Sequence, residues 1–85
     1  MPQPLKLQST DTHWHLDCLG LLCPVPIVQA GRAMRSLAGG DLLVIEADDP
    51  GAELDLQDWA EANRHPWEGC DRDGERSVSR VRKRA

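Results

Sequence analysis

A chain of 85 residues makes one domain, and at this size folding buries only about 60% of the surface the unfolded form exposes, so a large enclosed cofactor pocket is excluded and any chemistry must sit near the surface. The net charge of -4 hides an asymmetry, because all 14 acidic residues precede Arg76, whereas Arg76, Arg80, Arg82, Lys83 and Arg84 form a basic end that suits RNA, an acidic protein surface or plain solvent. Three cysteines is an odd count, Met1–Thr10 has no apolar leader, and no stretch approaches the ~20 apolar residues that cross a bilayer, which argues against a disulfide scaffold and a membrane protein and for a cytoplasmic protein with free thiols.

Residues 1–11 are proline-rich and polar without a clear period, and they read as a flexible lead-in to a single domain over 12–85. His13-Trp14-His15-Leu16-Asp17 alternates polar and apolar, the pattern of a strand that turns Trp14 and Leu16 to a core. Residues 24–38 carry Ile27, Ala30, Gly31, Met34 and Leu37 in one stripe, which predicts a helix, and Gly39-Gly40 stops it. Asp41–Ala47 contains an unbroken apolar run, as expected of a central strand flanked on both sides. Asp49-Pro50 is a helix-start signal for a second helix that buries Ala52, Leu56, Trp59 and Ala60, turns Glu53, Asp55, Asp58 and Glu61 to solvent, and ends at His65-Pro66. Residues 67–71 and 76–83 read as two short strands joined at Asp73-Gly74, with a thin apolar pattern that leaves this sheet edge poorly covered.

The order strand, helix, strand, helix, strand, strand, with right-handed crossovers, gives an α/β two-layer sandwich: a mixed four-stranded sheet with both helices on one face.

Chemistry concentrates at Cys23-Pro24-Val25-Pro26, between the first strand and the first helix. A thiol there meets the unpaired N–H groups and partial positive charge of a helix start, which favours thiolate. The two prolines remove donors that lack partners anyway, stiffen the backbone under the sulfur, and leave Val25 and Ile27 to supply N–H groups. Strands one and two run parallel in this topology, so Asp48 and Asp49 emerge on the same sheet edge and oppose the helix terminus by raising the thiol pKa. Sequence does not fix the sign of the sum.

The run Leu16-Asp17-Cys18-Leu19-Gly20-Leu21-Leu22-Cys23-Pro24-Val25-Pro26, followed by Gly40 and Ala47-Asp48-Asp49-Pro50, resembles the TusA/SirA-like family of small sulfur-transfer proteins from about His13 to Lys83. The resemblance implies a sulfurtransferase that acts as a protein-to-protein relay. Cys23 would accept sulfane sulfur as a persulfide from a cysteine desulfurase or rhodanese-like donor and deliver it to an acceptor protein, with no metal or other cofactor. Gly20, Asp17, Pro24 and Pro26 would position it. Such proteins serve tRNA thiolation, molybdenum cofactor assembly or sulfur oxidation, and the expected form is a monomer that touches neither membrane nor nucleic acid directly.

Asp48, Asp49, Arg32 and Arg35 are candidate docking residues for the protein partners, set against a cap for Asp49 and a solvated helix face for the arginines. Cys18 departs from the family pattern and is either a packing residue or a second thiol; Cys70 reads as core or edge. Two further functions stay open: thiol-disulfide redox chemistry with Cys18 and Cys23, whose spacing is not the usual two-residue one, and a non-catalytic binding module for nucleic acid or protein that uses the basic end. His13, His15, Cys18 and Cys23 are competent zinc ligands by type, yet their spacing fits no common zinc module.

Overall fold

The computed structural model describes residues 7–10 and 13–85. They form β1 (Leu7–Thr10), β2 (His13–Cys18), α1 (Val25–Met34), β3 (Leu42–Ala47), α2 (Ala52–Ala62), β4 (Trp67–Asp73) and β5 (Arg76–Arg82). The strands lie in the order β1-β2-β3-β5-β4. β2 and β3 are parallel and the other neighbours antiparallel. The α/β class and the mixed four-stranded sheet are as expected, and a fifth strand is added at the edge: residues 7–10, expected as part of a lead-in, pair antiparallel with β2 from Leu7–Leu16 to Thr10–His13. Residues 1–6, 11 and 12, which hold the rest of that lead-in and the expected start of the domain, lie outside the described residues.

Alternation sorts the sheet into a covered and an open face. Leu16 and Cys18 of β2, Leu43, Ile45 and Ala47 of β3 and Val81 of β5 are buried in one core with Ala30, Ala33 and Met34 of α1 and Ala52, Leu56 and Ala60 of α2. Gly31 of α1 faces Trp59 of α2, and a methyl group there would sit at ordinary van der Waals distance, 3.8 Å, from Trp59 Nε1. β3 is the central strand, and its open-face residues Leu42 and Val44 are also buried.

The thinly covered edge is β4, and β5 is an interior strand. It lies between β3 and β4 with Ser77, Ser79 and Val81 buried and its arginines outward. Small hydroxyl side chains fill the covered face where larger apolar ones were looked for. Those arginines meet acids on neighbouring strands: Arg80 Nη1 lies 2.9 Å from Asp71 Oδ2, Arg76 Nη1 lies 3.7 Å from Glu46 Oε2, and Arg82 grips Glu68. Lys83 Nζ donates to Met34 O at 2.7 Å at the C-terminal end of α1, where a cation complements the helix dipole. The basic end is thus largely woven into the sheet and the helix layer.

Candidate functional site

Because β2 and β3 are parallel, the loops leaving their C-terminal ends meet at one sheet edge, the usual place for function in an open α/β sheet. Short polar bonds fix both loops. Leu19 N donates to Asp17 Oδ1 at 2.9 Å, and Gly20 N donates to Asp48 Oδ1 at 2.9 Å, tying the β2 loop to the β3 loop. Gly20 has φ +80, a backbone region that glycine adopts without a Cβ penalty. Past β3, Gly51 N donates to Asp49 Oδ2 at 3.1 Å and Ala52 N to Asp49 O at 3.1 Å, so Asp49 builds the turn that launches α2.

Cys23 stands exposed just ahead of α1 and is joined to Pro24 by a cis peptide bond. The N–H groups expected to serve the sulfur are spent on the main chain: Val25 N donates to Leu22 O at 2.8 Å and Ile27 N to Pro24 O at 3.1 Å. What the thiol meets is a carboxylate. Cys23 Sγ donates to Asp55 Oδ2 at 2.8 Å, from one turn into α2. The thiol pKa is therefore raised, first by this hydrogen bond, then by partial desolvation and the negative charges of Asp55 and Asp49. The balance left open between helix start and carboxylates falls to the carboxylates, and the dominant one is Asp55, which no spacing or motif distinguishes from the other acids on the wet face of its helix.

The segments that flank the thiol carry exposed apolar side chains. Leu22 precedes it at 70% exposure, Val25 and Val28 follow on one side of α1 at 39% and 56%, and Leu54 beside Asp55 is 64% exposed. These are the exposed large hydrophobic residues among those described, and all four lie on the segment that leads into α1, on α1 itself or on the first turn of α2, a surface suited to be covered by a partner.

Other candidates separate from this site. Cys18 is fully buried in the core, where desolvation above all, with the charge of Asp17, pushes its thiol up to about 11. Cys70 is half-buried on β4. Arg32 lies in the last turn of α1, and Arg35 caps its C-terminal end and lines a cleft with Trp59, Asn63, His65 and Arg84, about 15 Å along the helix from its first residue, Val25, at 1.5 Å per residue. His13 and His15 are exposed on the open face, opposite Cys18. Among the described residues, no group of three or more His, Cys, Asp or Glu side chains is placed to hold a metal ion, and no helix is long and apolar enough to cross a membrane.

Comparison with known proteins adds what geometry alone does not. The family model "Sulfurtransferase TusA" matches residues 15–83. YrkF from Bacillus subtilis strain 168, described as a candidate sulfur carrier protein, is 42% identical over 60 residues, covering 71% of this chain and 32% of YrkF. YrkI of the same organism, described likewise, is 44% identical over 50 residues, 59% of this chain and 67% of YrkI. A candidate sulfur carrier from Archaeoglobus fulgidus is 46% identical over 41 residues, 48% of this chain and 53% of that one. The chain thus spans about a third of the length of YrkF and about half of the archaeal relative. In fold, a SirA-like protein from Desulfitobacterium hafniense superimposes with a TM-score of 0.73 at 24% identity, covering 84% of this chain and 97% of that one. With four fifths of its length matched by the family model, the chain belongs to the TusA sulfurtransferase family.

Proposed function

We propose that the protein is a sulfur carrier that takes a sulfane sulfur onto Cys23 as a persulfide and hands it to a partner protein. One observation carries the reading: of three free cysteines, Cys23 alone is exposed, and exposed large hydrophobic side chains lie on the segments that flank it, with Leu22 and Val25 close in sequence and Leu54 next to its hydrogen-bond partner Asp55. A carrier needs that combination, because the thiol must enter a partner's active site and the surrounding surface must be covered when it does. The donor is a cysteine desulfurase or a rhodanese-like protein, and the acceptor acts in tRNA thiolation, molybdenum cofactor assembly or sulfur oxidation.

Asp17, Gly20, Pro24 and Pro26 serve as positioning residues, the first two by holding the loop ahead of the thiol. Asp48 acts through the same loop, and Asp49 adds negative charge at the docking surface. The burial of Cys18 speaks against a Cys18–Cys23 redox pair, and the pairing of Arg76, Arg80 and Arg82 with acids removes much of the patch that a nucleic-acid module would use.

Incubation of the reduced protein with a cysteine desulfurase and cysteine, or with a rhodanese and thiosulfate, tests the proposal by intact-mass measurement. One added sulfur, removed by reductant and absent from Cys23→Ala, is the expected result. A wild type that gains no sulfur from either donor would overturn it.

A further inference from the structure

Four carboxylates crowd the loops around Cys23, and three are occupied with the backbone. Asp17 accepts from Leu19 N, Asp48 from Gly20 N and Asp49 from Gly51 N. The fourth, Asp55, accepts from the thiol itself at 2.8 Å. Asp49 and Asp55 are neighbours: a methyl group on Gly51 would lie 3.4 Å from Asp49 Oδ2 and 3.7 Å from Asp55 Oδ2. Asp55 is only partly exposed, one turn into α2, and Leu54 beside it belongs to the apolar surface. Leu22 is next to the thiol in sequence and Leu54 next to the carboxylate, so a partner that covers both residues comes up to the Cys23–Asp55 pair.

We propose that Asp55 is a latch on the sulfur chemistry: in the free protein it holds Cys23 as a protonated thiol, and a cationic side chain of the docked sulfur donor pairs with Asp55, breaks that hydrogen bond and frees Cys23 as the attacking thiolate. The proposal rests on the persulfide reading above and assigns a residue that reading does not need. Its physical basis is sign. An anion in contact with a thiol favours the neutral form, and a cation that neutralises the anion removes the preference. Asp49, the other carboxylate acting on the sulfur, is committed to its turn and stays in place in both states.

The step balances without an outside oxidant or reductant. The thiol proton of Cys23 passes to solvent as the donor's cation takes up Asp55. The Cys23 sulfur attacks the terminal sulfur of the donor persulfide, a new S–S bond forms on Cys23, and the donor's own S–S bond breaks. Its electron pair stays on the donor cysteine, which takes up one proton and leaves as a thiol. In the unlatched free protein the same thiolate would be open to stray oxidation and alkylation, which the latch suppresses.

Asp55→Asn in the full chain tests this with two readouts. The first is the pH profile of Cys23 alkylation by iodoacetamide, followed on its own peptide by mass spectrometry. The latch predicts a midpoint below that of wild type and, at neutral pH, severalfold faster alkylation. Asp55→Glu, which restores the charge, should move the profile back. The second is loading by a cysteine desulfurase with cysteine, in which the variant should show a raised KM. An alkylation profile that superimposes on wild type overturns the latch, and faster desulfurase loading at unchanged KM overturns the pairing with a donor cation. Either result with normal loading of wild type leaves the carrier reading standing, whereas a wild type that accepts no sulfur from any donor removes both.

Discussion

Truncating the apolar surface around Cys23 should weaken partner docking without unfolding the protein. Leu22 and Leu54 are 70% and 64% exposed, so their side chains contribute little to the core and stay available to a partner. Full burial of a leucine side chain contributes about 1.5–3 kcal/mol. With about two thirds of each available and the Cβ kept by alanine, Leu22→Ala and Leu54→Ala should each remove about 1 kcal/mol of docking energy, about fivefold in the second-order loading rate. The double variant should lose about thirtyfold if the two sites act independently. The assay is sulfur loading by a desulfurase held far below saturation, alongside urea unfolding of the same variants. Leu56→Ala, at 0% exposure on the same helix, supplies the contrast, with about 2–5 kcal/mol of lost stability. Loading of the double variant within about twofold of wild type, against the thirtyfold expected, would refute the assignment of this surface to docking.

Other outcomes follow from the core and the sheet. Ser79 Oγ is buried without a hydrogen-bond partner, whereas Ser77 Oγ donates to Ala47 O at 3.3 Å. Ser79→Ala should therefore stabilise the protein by about 1 kcal/mol and Ser77→Ala destabilise it by about as much, both read by urea midpoints. Lys83→Ala takes the ammonium from Met34 O at the end of α1 and should cost about 1–2 kcal/mol, measured the same way. The Cys18 thiol is raised from 9.0 to about 11, so the unfolded chain loses this proton first as pH rises. Stability should fall through that window by up to about 1.4 kcal/mol per pH unit, and a Cys18→Ala variant should lack this component.

Local patterning carried most of the fold. The apolar run in β3 and the stripes of α1 and α2 are strong periodic signals, and the parallel β2–β3 pair follows from the crossover between them. β5 was the weak point, because its inward positions are two serines and one valine and its arginines find partners only once β3 and β4 flank it. β1 was missed for a similar reason: four residues, LQST, carry too little pattern to show a strand that only β2 completes. At the site, the thiol and its prolines were legible in a contiguous motif, and so was the arrival of a carboxylate-rich loop from β3. Asp55 was not. It lies 32 residues from Cys23 among the acids of the solvent face of α2, and only the packing of α2 beside α1 singles it out. A helix terminus beside the thiol is plain in the sequence, but the first-turn N–H groups are used by Leu22 and Pro24 carbonyls, a local outcome that proline spacing alone does not reveal.

The most direct test of the account is to load the wild-type protein with a desulfurase and cysteine, alkylate it, and map added sulfur peptide by peptide over all three cysteines. A relay through Cys23 puts sulfur on Cys23 from the earliest time point and none on Cys18 or Cys70. Sulfur appearing first on Cys70 or Cys18, or on no cysteine at all, would contradict it.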